Sequence, residues 1–99
     1  MTEKRYSLNI LKNYSRSLDE VWEWLEKNLD FQLEKKIGFE KVNYVINKND
    51  NTIVFIGRTV NGTMFVSEGI LKISLTIPLL YRFFIPRIKK AILSVFKEL

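Results

Sequence analysis

The side chains that carry most enzyme chemistry are absent from this sequence. Its 99 residues contain no histidine and no cysteine, so the commonest general base, the commonest metal ligand and the thiol nucleophile are missing. Zinc sites and catalytic triads or dyads built on histidine are therefore excluded. The lack of cysteine fits a reducing compartment. We predict neither a cofactor nor a bound metal.

Carboxylates and tyrosines remain as acid–base candidates, but their spacing does not pair them. The acidic residues from Glu20 to Glu34 fall on the outer side of a helix pattern and indicate a solvated face, on which Glu23 and Lys27 are placed to form an ion pair. The segment Ser15-Arg16-Ser17 lacks the glycines of a phosphate-binding loop. We therefore predict that the protein is not an enzyme.

One stretch has an evident use, because it is apolar and adjoins a run of cations. Residues 79–85 contain a single charge, Arg82, among leucine, isoleucine and aromatic side chains. A small core cannot absorb all of them, so we expect two or three near the surface, where an apolar patch usually marks a partner, a lipid or a ligand. The alternative is that the stretch packs under the first helix or in a homodimer seam. The candidate binding residues are Leu79, Leu80, Tyr81, Arg82, Phe83, Phe84, Arg87, Lys89 and Lys90.

The formal net charge of +5 favours anionic partners, although it also serves solubility alone. A weaker alternative is RNA binding, with Tyr44, Phe55 and Phe65 as an aromatic platform on an open sheet face. The sequence lacks the ribonucleoprotein and helix-turn-helix signatures, and these aromatics serve equally well as core residues. Nucleic acid is therefore not our expected partner.

The chain shows no signal-peptide pattern after Met1 and no apolar tract long enough to span a bilayer, which needs about 20 residues. We expect a soluble, cytoplasmic protein, peripheral at most to a granule or membrane. Its length suits a single domain over residues 1–99.

The hydrophobic pattern supplies the elements that must position the candidate residues. Alternation predicts a first strand at 5–12. Ser17 and Glu20 form a capping box that opens a helix, in which Trp24 falls off the apolar stripe and should be half exposed. Gly38 is the predicted helix stop. Further strands are predicted at 42–47, 53–56, 63–66 and 71–77.

Turn residues punctuate these strands. Asn49-Asp50-Asn51 and Ser67-Glu68-Gly69 predict turns, and Asn61-Gly62 predicts a two-residue hairpin loop. Residues 53–56 are apolar on both faces, which predicts a central strand that is covered on both sides or lines a cavity. Pro78 should end the last strand, and Pro86 should lie in the first turn of a closing basic helix.

The predicted fold class is α+β. The order β-α-β-β-β-β-α gives a two-layer sandwich with a mainly antiparallel sheet and both helices on one face. A variant is a small helix-grip-like fold, with a cavity under the last helix. That variant implies an alternative function, the binding of an apolar ligand.

From Gly62 onward the chain resembles the polyhydroxyalkanoic acid system family, small bacterial proteins associated with polyester storage granules. The resemblance rests on a glycine that opens a strand, an alternating strand, a Leu-Leu-aromatic stretch with arginine, and a final amphipathic helix. These are residues 62–66, 71–75, 79–84 and 87–99. The chain differs from the family pattern in having Phe83 and Pro86 where a proline and a small residue are usual, and basic residues where the family is acidic. The resemblance implies a small accessory or binding protein with no catalytic residues.

Overall fold

The order of strands and helices along the chain is the one that the hydrophobic pattern predicts. The structure is a computed structural model that describes residues 5–36 and 42–99, without the side chains of 32–36. The predicted stop at Gly38 lies outside the described residues. The elements are β1 (Arg5–Asn13), α1 (Leu18–Lys36), β2 (Asn43–Asn47), β3 (Thr52–Ile56), β4 (Asn61–Ser67), β5 (Ile70–Pro78), a short 3₁₀ helix η1 (Leu79–Phe84) and α2 (Ile85–Val95).

The five strands form one antiparallel sheet in the order β1-β5-β4-β3-β2. The first two strands therefore lie at opposite edges, and α1 carries the chain from one edge to the other. The remaining strands return as a meander until β5 pairs with β1, with Leu8 opposite Leu75. The α+β class and the antiparallel sheet are confirmed.

The hydrophobic core lies between one face of the sheet and the two helices. Successive side chains of a strand point to opposite faces, and the residues on one face are buried together with residues of both helices. In β5 the buried side chains alternate with more exposed ones, as predicted. The largest fully buried side chains are those of Ile10, Val21, Leu25, Leu29, Ile53, Met64, Val66, Leu71, Ile73, Ile77 and Val95.

The predicted capping box opens α1. The Ser17 hydroxyl accepts a hydrogen bond from the Glu20 amide at 3.3 Å, and the Ser17 amide donates one to Glu20 Oε1 at 3.3 Å. The Ser17 hydroxyl also donates to Glu20 Oε1 at 2.9 Å, and these hydrogen bonds lower the pKa of Glu20. The predicted ion pair joins Lys27 Nζ to Glu23 Oε1 at 2.9 Å.

The prediction that Trp24 is half exposed is wrong. The side chain is only 8% exposed, and its ring lies 6.2 Å from that of Phe96, centroid to centroid. The predicted stripe, which follows three- and four-residue spacing, does not include Trp24. Because the chain around α2 also lies beside α1, a wider arc of α1 is buried.

The predicted hairpin loop at Asn61-Gly62 is also wrong, because both residues belong to β4. Gly62 lies opposite Leu75 on one side and Phe55 on the other. The turn between β3 and β4 comes earlier, at residues 57–60, where the Gly57 amide donates to the Val60 carbonyl at 3.0 Å. A Cβ at position 62 would lie 2.7 Å from the Ser74 carbonyl oxygen, so the glycine permits close approach of two strands.

The prediction that β3 is central and covered on both sides is wrong too. Its place is next to the edge strand β2. Ile53 and Phe55 are buried towards the helices, whereas Val54 and Ile56 are exposed on the opposite face, called here the open face of the sheet. Apolar residues on both faces of a strand therefore do not require two covering layers.

The other predicted turns are confirmed. Residues 48–51 turn the chain between β2 and β3, with Asn51 at φ 54°. Glu68 and Gly69 form a two-residue loop between Ser67 and Ile70, with Gly69 at φ 83°, a conformation that glycine adopts without strain. The amide of Tyr14, which follows β1, donates to the Gly69 carbonyl at 3.0 Å and ties this loop to the segment between β1 and α1.

Candidate surface-binding site

The candidate segment is organised by a 3₁₀ helix. Pro78 ends β5, and the chain then forms η1 before α2 begins, with Pro86 in the first turn of α2 as predicted. A 3₁₀ helix has three residues per turn, so residues three apart lie on the same side. Leu80 therefore lies beside Phe83, and Tyr81 lies beside Phe84.

Leu80 and Phe83 project into solvent. Leu80 is 83% exposed and Phe83 is 79% exposed, which makes them more exposed than any other large apolar residue among those described. We call this pair the apolar wedge. The sequence predicts two or three such side chains at the surface; the structure exposes four, because Leu79 and Phe84 are also exposed, at 37% and 48%.

The neighbouring side of η1 attaches the wedge to the core. Tyr81 and Ile85 are half buried against the core cluster. The rings of Tyr81 and Phe84 lie 6.2 Å apart with their planes tilted by 53°, an arrangement that aromatic pairs favour. Leu79 and Phe84 remain partly exposed. The wedge is thus held on a short, packed helix.

Cations accompany the wedge. The Arg82 guanidinium lies over the Phe83 ring, 4.9 Å from its centroid. Arg87, Lys89 and Lys90 are exposed on the first turns of α2, which buries Ile88 on its other side. The structure thus places the cations of the predicted site in solvent within one short segment.

The charge of the protein is concentrated in this part of the chain. Residues 70–97 contain six basic residues and no acidic residue, whereas the rest of the sequence has ten basic and eleven acidic residues. The net positive charge therefore comes from the segment that carries the wedge.

The fold adds two arginines that sequence reasoning missed. Arg5 lies opposite Pro78 in the sheet, next to the start of η1. Its Nη2 donates to the Thr59 carbonyl at 2.9 Å, which places the turn with the exposed Arg58 beside the same end of β5. The strand order could have indicated this, because in an antiparallel meander the loop between β3 and β4 lies at the end where β1 starts and β5 finishes.

The predicted aromatic platform does not form. Tyr44 and Phe55 lie on the helix-covered face, and Phe65 lies on the open face. The Tyr44 hydroxyl donates to Asp30 Oδ1 at 2.6 Å. Burial and this hydrogen bond to a carboxylate raise the pKa of Tyr44 to about 12. The side chain is thus engaged with α1.

Among the described residues, the structure contains neither a metal-binding group of side chains nor a membrane-spanning helix. Their histidine, cysteine, aspartate and glutamate side chains form no group of three or more that could hold a metal ion. No helix among them is long and apolar enough to cross a membrane.

Comparisons of the chain with protein-family models, with curated proteins and with solved structures find no match. The functional argument therefore depends on the geometry of the wedge and its cations. The resemblance to the polyhydroxyalkanoic acid system family stays a prediction.

Proposed function

We propose that the protein is a non-enzymatic accessory protein that docks through residues 79–90 on a boundary between an apolar phase and water, such as a membrane surface or a polyester granule. The observation that carries this proposal is the exposure of Leu80 and Phe83 on a packed 3₁₀ helix with Arg82, Arg87 and the α2 lysines nearby. An apolar pair beside cations is typical of interfacial segments.

The wedge has the strength that reversible docking needs. Full burial of a leucine or phenylalanine side chain contributes about 1.5–3 kcal/mol, and each cation near an anionic surface adds about 1 kcal/mol. With four cations, the favourable terms sum to on the order of 7–10 kcal/mol. After association costs of at least about 4 kcal/mol, about 3–6 kcal/mol remain, which corresponds to a dissociation constant between the millimolar and the tens-of-micromolar range. The segment would therefore bind and release.

A homodimer through the same segment is the competing use of the wedge. A stable interface buries more than about 1,000 Å² in total, with good complementarity. Two protruding side chains are a small part of such an area, whereas insertion into a lipid or polymer layer has no minimum area. The wedge therefore favours a continuous surface over a second copy. The binding of an apolar ligand between the sheet and α2 stays a prediction, which mass spectrometry of gently purified protein would test.

The test is co-sedimentation with anionic phospholipid vesicles and with polyhydroxybutyrate particles. The wedge variant is Leu80→Ser with Phe83→Ser. The matched control is Leu11→Ser with Phe65→Ser, which removes the same two residue types from the open face, where they are 61% and 43% exposed. Circular dichroism and urea unfolding establish that all the proteins are folded.

We expect the wild type and the control to sediment with at least one of the two materials, and the wedge variant to stay in the supernatant. Analytical ultracentrifugation should give the same molecular mass for the wild type, the wedge variant and the control, which would show that the substitutions do not change the oligomeric state. Equal sedimentation of the wedge variant and the wild type would overturn the proposal, as would failure of the wild type to bind either material.

A further inference from the structure

The register of the sheet collects the wedge and several arginines at one end of the sandwich. At this end β1 begins with Arg5, β5 finishes with Pro78, and the turn at 57–60 joins β3 to β4. The hydrogen bond from Arg5 to Thr59 joins the strand edge to that turn. We call this the wedge end; besides η1 and the start of α2, it presents Arg5 and Arg58. The last turns of α1 also approach this end, where the exposed Asp30 accepts a hydrogen bond from Tyr44 near the start of β2.

The opposite end has a different character. The turns at 48–51 and 68–69 lie there, together with the start of α1 and the end of the chain after α2. Arg16 reaches the Glu98 carbonyl at 3.1 Å, which fixes the two chain segments beside each other. Basic residues at this end are accompanied by acidic ones. The acidic residues are Asp19, Glu20, Asp50, Glu68 and Glu98.

We infer that the protein stands end-on on a negatively charged phospholipid surface, with the apolar wedge inserted and Arg5 and Arg58 forming a second point of contact. This inference rests on the proposed function. It assigns the orientation, the charge of the surface and two contact residues that lie outside residues 79–90.

Charge complementarity selects the phospholipid. The ester groups of a bare polyester carry no net charge, so they gain no Coulomb attraction from the cations of η1 and α2. Phosphate oxygens pair with guanidinium groups in two parallel hydrogen bonds. Four of the six basic residues of 70–97, namely Arg82, Arg87, Lys89 and Lys90, lie in η1 and the first turns of α2 and suit a layer that presents many phosphates.

The direction of α2 favours the end-on orientation over a flat one. α2 begins at the wedge end and runs towards the opposite end, since Phe96 contacts Trp24 and Arg16 reaches Glu98. At 1.5 Å per residue, Lys90 would lie about 8 Å above the start of α2, still within the screening length of about 8–10 Å at physiological salt. Its charge therefore contributes in the end-on pose.

The first experiment measures orientation with a pair of labels. The chain has no cysteine, and Asn61 and Ser67 are exposed at the two ends of β4. Asn61→Cys and Ser67→Cys, each carrying an environment-sensitive dye, are mixed with vesicles containing phosphatidylglycerol. We expect a blue shift of the dye at position 61 and none at position 67. A shift at both positions, at neither, or at 67 alone would overturn the inference.

The second experiment tests the new contact residue. We expect Arg58→Gln to weaken vesicle binding about fivefold, the loss of one cation at the surface. Lys97→Gln, which removes the same charge near the opposite end, should bind as the wild type does, and Arg58→Lys should restore most of the affinity. Equal binding of Arg58→Gln and Lys97→Gln would contradict the second contact.

The two proposals fail differently. If the wild type binds neither vesicles nor polyhydroxybutyrate particles, the proposed function is wrong. If it binds the particles but not the vesicles, the proposed function stands and the phospholipid inference is wrong. If the wild type binds and the wedge variant does not, but the labels or Arg58→Gln behave otherwise than stated, docking stands and the end-on inference is wrong.

Discussion

Gly62 shows why a residue pair typical of turns need not form one. Asn-Gly favours the positive φ angles of tight hairpins, yet here the pair continues β4. What position 62 requires is the absence of a side chain, since a Cβ would lie 2.7 Å from the Ser74 carbonyl oxygen and would also meet the Leu75 side chain. The steric demand of the neighbouring strand is not visible in the sequence. The sequence therefore indicates that Gly62 has a structural role, but it does not predict that the role is to let β4 and β5 approach closely.

We expect Gly62→Ala to lower the free energy of unfolding by about 1–3 kcal/mol, because the added methyl group overpacks the contact between β4 and β5. Urea unfolding measures the change. Gly69→Asn is the control, since nothing lies within 4 Å of a Cβ there and asparagine tolerates a positive φ. If Gly62→Ala were as stable as the wild type, β4 and β5 would be able to move apart far enough for the methyl group with no loss in the free energy of unfolding.

At the scale of the elements, local signals predicted most boundaries. Strand alternation gave β1 and β5, and the Ser17–Glu20 pair gave the start of α1, because each depends on residues close in sequence. The exposure of residues in η1 was predictable from the surplus of apolar side chains. The 3₁₀ geometry that pairs Leu80 with Phe83 was not, since it follows from how the chain must turn between β5 and α2.

The capping box of α1 gives a prediction at this scale. Ser17→Ala should lower the free energy of unfolding by about 1 kcal/mol, the usual cost of losing an N-cap hydroxyl. Ser15→Ala, the same change at an exposed position just before the cap, should have little effect in urea unfolding.

The free energy of unfolding that Ser17→Ala loses should also depend on pH. The hydrogen bonds from Ser17 lower the pKa of Glu20 in the folded protein, so this part of the stabilisation is present above the ordinary pKa of glutamate and is lost as pH falls through the lowered value. The difference between Ser17→Ala and the wild type should therefore shrink in acid. A difference that stays constant with pH would exclude a contribution from the carboxylate.

At the scale of the whole molecule, binding to an anionic surface depends more on where the charges lie than on the net charge. Arg5 and Arg58 are 53 positions apart in the sequence, and only the register of β1 and β5 and the turn after β3 bring them beside η1. No local pattern predicts this assembly. It depends on strand order, whereas the sequence pattern predicts only a mainly antiparallel sheet.

Ion-exchange chromatography tests this distribution directly. Two double variants remove the same charge from different places. The first is Arg82→Gln with Arg87→Gln, at the wedge end, and the second is Lys12→Gln with Lys97→Gln, away from it. We expect the first variant to elute from a cation exchanger at clearly lower salt than the second, because a clustered patch orients the protein on the resin. Coincident elution of the two variants would mean that net charge alone governs the interaction.

The placement of β1 also bears on how the protein assembles during its synthesis. In the described sheet β1 pairs with β5, and Leu8 meets Leu75 across 67 positions of chain. At about 5–20 residues per second, translation needs roughly 3–13 s to deliver that partner. During this interval the N-terminal strand emerges from the ribosome with its apolar side uncovered, and the meander from β2 onward can form before it docks. The last strand to find its place is thus the first one made.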